Sequence, residues 1–122
     1  MGTREIPQAQ WHEYLDTVNK RMGSRFVTVE SEGELGNQVL AEHAPLIGIE
    51  PEEKGSMKCA IDVQLGGKES PSSRTVHPIR CPNRLMVKED ALGEPEAIDI
   101  EGEEPGDRTR IKMVIRFEAS SK

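Results

Sequence analysis

The spacing of apolar residues changes once along this chain, and that change limits the folds it can adopt. Between Pro7 and Gly23, apolar side chains recur every three to four residues, as they do on one face of a helix. From Arg25 onward the dominant repeat is two residues, which is typical of strands with one buried and one wet face. The sequence therefore predicts one N-terminal helix followed by a mainly antiparallel sheet.

The predicted helix has an apolar stripe and a polar face. Pro7 suits a first turn, and Gly23 is predicted to end the helix in the left-handed conformation. Because the polar side chains are those of an ordinary solvated face, we expect the stripe to pack on the sheet. The stripe consists of Trp11, Tyr14, Leu15, Val18 and Met22.

Alternation and turn residues predict seven extended segments after the helix. The segments are Arg25–Glu30, Gln38–Glu42 with its continuation Ala44–Ile49, Met57–Leu65, Thr75–Ile79, Leu85–Glu89, Ala97–Glu101 and Arg108–Phe117. Pro45 suits only an edge, a bulge or a bend, and the run Gly66–Arg74 is predicted to be a mobile loop. The predicted fold class is α+β, with one N-terminal helix packed on a curved, mainly antiparallel sheet or small barrel of six to seven strands. Residues 1–122 are predicted to form a single domain.

Two blocks of opposite charge define the last predicted hairpin. Residues 89–107 contain nine acidic side chains and no basic one, whereas residues 108–116 contain four basic side chains and no acidic one. A type II turn at Glu104–Asp107 would fold one block onto the other. It would pair Glu103 with Arg108, Glu101 with Arg110, Asp99 with Lys112, Ile100 with Ile111 and Ile98 with Met113. A wider loop of the same parity would leave both faces unchanged.

This alternation divides the hairpin into a core face and a water face. We predict that the core receives Ile98, Ile100, Ile111, Met113, Ile115 and Phe117, and that Asp99, Glu101, Arg110 and Lys112 face water. The acidic block lacks the Asp/Asn ladder and twelfth-position Glu of an EF-hand, so strand pairing explains it better than a calcium site does.

Composition excludes several classes of protein. The net charge of −6 has the wrong sign for neutralising a polyphosphate, and four aromatic residues are too few for base-stacking platforms. We therefore expect no nucleic-acid partner. An apolar run approaching 18 residues is absent, and the first residues do not form an export signal, so we expect a cytoplasmic protein without a membrane partner.

The candidate metal ligands and thiols are few and scattered. Cys59 and Cys81 lack the spacing of a zinc or redox motif, and we predict two free thiols. His43, His77 and Cys81 could together form a three-ligand metal site, but unrelated polar side chains are the favoured interpretation. His12 lies far from the other two histidines in sequence. We assign no metal-ligating, catalytic or cofactor-binding residue, and no cofactor.

The chain lacks the motifs of the common nucleotide-binding and serine-hydrolase folds, namely GxGxxG, GxxxxGK[ST] and GxSxG. Carboxylates are plentiful, but no pair is singled out for acid–base work. We therefore favour a noncatalytic binding or assembly module. The alternative is a small hydrolase or metal-dependent enzyme whose site is built from scattered side chains, and convergent histidine and carboxylate groups in a deep cleft would favour it.

Several short blocks resemble an uncharacterised bacterial family of short proteins, known only as a domain of unknown function. The blocks are Arg4–Pro7 followed by Trp11, Val27–Glu30, Pro45–Ile49, His77–Ile79 and Glu96–Glu101. The segments at Gly23–Phe26 and around Glu103–Pro105 depart from the family pattern. The resemblance implies a bacterial, soluble protein, and it carries over no catalytic residue.

A homodimer is the partner that the sequence favours. A short, strand-rich domain without a second covering helix is expected to expose a sheet edge or an apolar face, and symmetric dimers commonly cover such surfaces. The segment predicted to pair is Gln38–Ile49, because Pro45 marks an edge or bend and its aliphatic side chains exceed what one strand face can bury. The net charge of −6 argues for the monomer instead.

Overall fold

A computed structural model describes residues 2–23, 25–33, 36–51, 60–66, 74–79, 82–103 and 110–118. One helix, α1 (Trp11–Met22), follows a 3-10 turn at Gln8–Gln10. The strands are β1 (Gly2–Glu5), β2 (Phe26–Gly33), β3 (Gly36–Pro51), β4 (Ile61–Gly66), β5 (Arg74–Ile79), β6 (Arg84–Glu89), β7 (Pro95–Glu103) and β8 (Arg110–Phe117).

The described strands form one antiparallel sheet in the order β1-β6-β7-β8-β2-β3-β4-β5. The α+β prediction is therefore confirmed, but the count of six to seven strands is wrong, because these residues contain eight. The additional strand is β1, which has only four residues, all of them exposed, and so no alternation to reveal it. The sheet is not a closed barrel, since β1 and β5 lie at its two edges.

Strand β3 bends the sheet around the core. Its first part pairs with β2 up to Pro45, and its last part, from Leu46, pairs with β4. Between these parts His43 has a φ of 51°, and the pairing register shifts between Leu46 and Gly48. Strands commonly pass from one sheet layer to another through such bends and bulges. The two predicted segments on either side of His43 are thus one strand of sixteen residues.

The predicted helical stripe packs inside this bend. Trp11, Leu15, Val18 and Met22 are the buried residues of α1. They share one cluster with aliphatic side chains from seven strands, including Val29, Leu46, Val63, Ile79, Val87, Ile100 and Ile115. The Trp11 indole N–H donates to the Ile6 carbonyl at 2.7 Å, and the Ile6 N–H donates to the Leu85 carbonyl at 2.8 Å. These two hydrogen bonds attach the segment before the helix to the sheet.

Gly23 ends the helix in a way that differs from the prediction. Its φ of −58° and ψ of 141° are not left-handed. The requirement for glycine comes from space instead, because a Cβ atom at this position would lie 2.8 Å from the Asn19 carbonyl oxygen. The Gly23 N–H donates to that same carbonyl at 3.1 Å, which closes the last turn.

The Asn19 side chain fastens the end of α1 to β3. Its amide donates to the Ile49 carbonyl at 3.0 Å, and its carbonyl accepts from the Ile49 N–H at 2.9 Å. The Leu46 N–H donates to the Arg25 carbonyl at 2.9 Å. Backbone groups on the side of β3 that faces away from β4 are therefore satisfied by Asn19 and Arg25 in this part of the strand.

The hairpin of β7 and β8 has the predicted faces but a different register. Ile98 lies opposite Ile115 and Glu101 opposite Lys112, so the predicted pairs are wrong by two residues. Because the shift is an even number of residues, each side chain keeps its predicted face, as expected for a wider loop. Ile98, Ile100, Met113 and Ile115 are buried, Ile111 and Phe117 are partly buried against the core, and Asp99, Glu101 and Lys112 are half-exposed on the other face.

Several predictions fall outside the described residues. They concern the loop at 67–73, the turn at 104–107, the start of the Met57–Leu65 strand, the water-facing side chain of Arg110, and both Cys59 and Cys81. In the part of the chain that is described, no helix is long and apolar enough to cross a membrane.

Candidate functional site

The outer face of the sheet, which is turned away from the buried core, carries three rows of side chains across β1, β6, β7, β8 and β2. The first row is Thr3, Lys88, Ala97, Arg116 and Thr28. The second is Glu5, Met86, Asp99, Val114 and Glu30. The third is Arg84, Glu101, Lys112 and Glu32. Charged and apolar side chains therefore meet at the centre of this face.

A groove of about 170 Å³ lies over this centre. Val114, which is only 3% exposed, and the half-buried Met86 and Ala97 provide its apolar part. Drug-sized pockets typically measure about 300–1,000 Å³, so this groove fits only a small molecule or a single side chain. Its charged lining residues are Glu32, Lys88, Asp99, Lys112 and Arg116, and Thr3 adds a hydroxyl.

Asp99 is the titratable group that this groove perturbs most clearly. Burial raises the pKa of its carboxyl group, and the nearby charges of Glu101 and Glu32 raise it further, against the opposing effect of Lys112. The Lys112 ammonium lies 3.9 Å from the Asp99 carboxylate and 3.4 Å from that of Glu32. Asp99 is thus partly desolvated and only loosely paired, so an additional hydrogen-bond donor would stabilise its charged form.

The two cations at the other end of the groove are also loosely held. Arg116 contacts Glu30 at 3.3 Å, and Lys88 contacts Glu96 at 3.9 Å. Both basic side chains are more than half exposed. Exposed ion pairs of this kind contribute about 0–1 kcal/mol, so an incoming anion can compete for either cation.

A second candidate surface is the free edge of β3, meaning the side of residues 36–42 that no strand of the described residues covers. Its first part pairs with β2 on one side, whereas β4 pairs only from Leu46 onward. Residues 36–41 carry no charged side chain, although 31% of the chain is charged. Val39, on the outer face, is 53% exposed. Register shifts between Val27, Val29 and Glu30 show that this part of β3 is bulged after Val39.

The histidines do not assemble into a site with one another in the described residues. His43 stacks on the Phe26 ring with a centroid distance of 4.1 Å, and its Nδ1 lies 2.8 Å from a carboxylate oxygen of Glu118. His77 lies on β5 opposite Val63, and His12 lies on α1. Within the described ranges no three His, Cys, Asp or Glu residues are placed to hold a metal ion. Cys81 lies outside those ranges.

A third polar cluster joins β1, α1 and β6. The Arg4 guanidinium contacts both carboxylate oxygens of Glu89, at 3.1 and 3.2 Å, and lies 5.5 Å from the Tyr14 ring centre. The hydrogen bond from Arg4 lowers the pKa of the Glu89 carboxyl group. The Tyr14 hydroxyl is buried close to the Glu89 carboxylate, although no hydrogen bond of ordinary geometry forms between them in the described structure. This cluster holds the short edge strand β1 in place.

Sequence reasoning assigned no residue to the outer groove. One signal was present, because Met113, Val114 and Ile115 are three consecutive apolar residues in an otherwise alternating strand. Two of them fill the core, and Val114 must then be buried on the opposite face. Lys88 and Thr3 enter the groove only through strand pairings that periodicity does not reveal.

Comparisons with known proteins agree with the resemblance in the sequence. The chain is 30% identical over 105 residues to an uncharacterized protein of Aquifex aeolicus (strain VF5), which covers 84% of this chain and 86% of that protein. The crystal structure of the Bacillus subtilis YojF protein superposes with a TM-score of 0.52 at 12% identity, covering 98% of both chains, and so shares the fold. The model of the family of unknown function DUF5335 matches residues 2–122. The predicted membership of a bacterial family without an assigned function is confirmed, and the chain belongs to DUF5335.

Proposed function

We propose that this protein is a noncatalytic assembly module that forms a symmetric dimer by pairing the free edge of β3 with the same edge of a second copy. The observation that carries the proposal is the contrast between the two parts of this strand. Asn19 and Arg25 satisfy backbone groups along its last part, whereas residues 36–42 pair with β2 on one side and with no strand of the described residues on the other. An unpaired row of backbone N–H and C=O groups favours strand addition.

The chemistry of this edge suits a second copy of the chain. Each copy has a net charge of −6, so electrostatic repulsion between two copies is smallest where the contacting surfaces are uncharged. Residues 36–41 carry no charged side chain. A two-fold axis perpendicular to the sheet can place Val39 opposite Val39 of the partner subunit. Glu42 is three residues away, so the two copies do not oppose their acidic groups.

The bulges in β3 limit how far such pairing extends. They interrupt the regular ladder after Val39, which leaves a short edge and therefore a small interface. In a two-fold arrangement each copy uses the same edge, so the assembly closes at two subunits. A small, closed interface predicts a dimer that dissociates on dilution.

The charged side chains on the outer face support a noncatalytic role. Glu30, Glu32 and Glu101 each lie within 4 Å of a basic side chain on a neighbouring strand, as strand pairing alone would arrange them. Two cysteines without scaffold spacing fit the reducing cytoplasm, which we propose as the location.

Light scattering over a concentration series tests the dimer. We expect the mass to rise from 13.6 kDa toward twice that value as concentration increases. Val39→Glu places two like charges opposite each other and should keep the protein monomeric. A matched control is Val76→Glu, because Val76 is also an exposed valine on an edge strand, at 47% exposure.

Charge reversal makes this test specific. Val39→Lys alone should also be monomeric, and an equimolar mixture with Val39→Glu should recover dimers, because opposite charges then face each other. A constant mass of 13.6 kDa for the unaltered protein would contradict the proposal. Dimers that persist in Val39→Glu would place the interface elsewhere and would also contradict it.

A further inference from the structure

We infer that the outer-face groove is a binding site for a small aliphatic amino acid. One end of the groove binds the ligand's carboxylate, the other end binds its ammonium group, and an apolar contact receives its side chain. The site lies over β6, β7 and β8 and is bounded by Thr3 of β1 and Glu32 of β2, whereas the proposed dimer contact is on the side of β3 that faces away from β2. The inference therefore does not depend on the dimer.

The apolar contact comes from the second row of the outer face. Val114 is buried at the base of the groove, and Met86 lies two strands away in the same row, on the other side of Asp99. Met is unbranched and adapts to irregular shapes, so its side chain can close one side of the groove while Val114 receives a short branched side chain. An apolar base with a few polar groups above it is the usual composition of a small-molecule site.

Lys88 and Arg116 form the end of the groove that binds the ligand's carboxylate. In the first row these residues lie on either side of Ala97, whose methyl side chain leaves the space above it open. An anion in that space could reach both cations, and the guanidinium can donate two parallel hydrogen bonds to a carboxylate. Their present acidic partners, Glu96 and Glu30, are held by exposed ion pairs.

Asp99 forms the end of the groove that binds the ligand's ammonium group, and Glu32 lies further away, beyond Lys112. Ala97 and Asp99 are two residues apart on the same strand face, a spacing of about 7 Å. A ligand carboxylate above Ala97, between Lys88 and Arg116, would lie about 7 Å from Asp99, and one hydrogen bond of about 2.8 Å to Asp99 leaves about 4 Å between the ligand's two charged groups. An α-amino acid has this length between its charged groups. A dicarboxylate would instead bring its second acid against Asp99.

Size restricts the side chain of the ligand. A volume of about 170 Å³ is roughly half of what the smallest drug-sized pockets provide. The groove therefore suits a ligand such as valine. A large aromatic amino acid would extend beyond it.

Titration of the ¹⁵N-labelled protein with L-valine tests the site by NMR. We expect concentration-dependent shifts of backbone amides at residues 86–88, 97–99 and 112–116. Isovalerate is valine without the ammonium group, and isobutylamine is valine without the carboxylate. Each should bind at least about tenfold more weakly than valine, because it lacks one of the two charged groups that form charge-assisted hydrogen bonds.

Two variants remove one end of the site at a time. Asp99→Asn should weaken valine about tenfold but leave isovalerate unchanged, whereas Arg116→Gln should weaken both valine and isovalerate. Arg84→Gln is the matched control, because Arg84 also pairs with acids on the outer face but does not line the groove. Circular dichroism would establish that each variant is folded.

The absence of shifts at these amides with millimolar valine would overturn the inference. So would equal affinities for valine and isovalerate, or valine binding that neither Asp99→Asn nor Arg116→Gln weakens. The monomeric Val39→Glu variant should bind valine like the unaltered protein, so failure of the dimer proposal and failure of this one are separable.

Discussion

Tyr14 provides a direct test of the packing between α1 and β1. Burial raises the pKa of its hydroxyl from 10.0 to about 12, and the negative charge of Glu89 adds to this effect while Arg4 opposes it. The hydroxyl oxygen is buried close to the Glu89 carboxylate, outside ordinary hydrogen-bond geometry, and this proximity also raises the pKa, so the phenolate would have to form with little solvation beside a negative charge. We expect the folded protein to resist ionisation of this residue.

The raised pKa predicts how stability depends on pH. The unfolded chain loses the Tyr14 proton near pH 10, whereas the folded chain keeps it until about pH 12. The contribution to the free energy of unfolding is therefore complete below pH 10 and lost as pH rises from 10 to 12. A two-unit difference corresponds to about 2.7 kcal/mol, and the remaining solvent exposure of the ring reduces this to about 1–2 kcal/mol.

Absorbance at the phenolate band measures this pKa without interference, because the chain has one tyrosine. We expect a midpoint near 12 in the folded protein and near 10 in denaturant. Tyr14→Phe should change stability at neutral pH by about 1 kcal/mol or less, since it removes a hydroxyl that lies close to the Glu89 carboxylate but outside ordinary hydrogen-bond geometry. The variant should also lose less stability than the unaltered protein between pH 10 and 12, where lysines titrate in both.

Chemical unfolding monitored by the single buried tryptophan, Trp11, would report these stabilities. A folded-state midpoint near pH 10 would show that the hydroxyl is in water and would refute the reasoning. A large loss of stability in Tyr14→Phe at neutral pH would show instead that the hydroxyl makes a hydrogen bond.

Two further predictions concern the junction of α1 with β3 and the thiols. Asn19→Ala leaves the Ile49 N–H and C=O groups without their side-chain partner and should cost about 1–3 kcal/mol in urea unfolding, whereas Thr17→Ala, which removes only a hydrogen bond to the Glu13 carbonyl, should change stability by about 0.5 kcal/mol or less. Equal effects of the two substitutions would contradict this account of Asn19. Thiol titration in denaturant should find Cys59 and Cys81 both free, and a missing pair would indicate a disulfide.

Periodicity predicted the features that depend on neighbouring residues. The stripe of α1 and the inward aliphatic residues of β7 and β8 follow from local spacing, because each must cover apolar surface on one side only. The faces of the hairpin were predictable even though its register was wrong by two residues. Alternation determines which face of the sheet a side chain is on. It determines which residue of the neighbouring strand lies opposite only when the loop length is also known.

Features that depend on distant pairing were not predictable in the same way. Strand β1 pairs with β6, more than eighty residues away, and four exposed residues give no sign of that pairing. The outer groove requires β8 to lie between β7 and β2, which joins the end of the chain to its beginning. Residues that are unremarkable in sequence, such as Thr3 and Ala97, acquire neighbours only through this order.

The same charge pattern can serve both folding and ligand binding. The acidic and basic blocks of β7 and β8 place Glu101 opposite Lys112, and ion pairs of Glu101 with Arg84 and of Lys112 with Glu32 connect these residues to the neighbouring strands. Val114 interrupts that pattern and lies opposite Asp99, so this carboxylate faces an aliphatic side chain across the strands and reaches Lys112 only diagonally, at 3.9 Å. A carboxylate that is partly buried and weakly paired costs stability unless another group compensates it. The proposed ammonium end of the ligand would supply that compensation. Asp99→Asn therefore separates the two roles of the outer face, since it should preserve or increase the stability of the free protein while weakening the binding of valine.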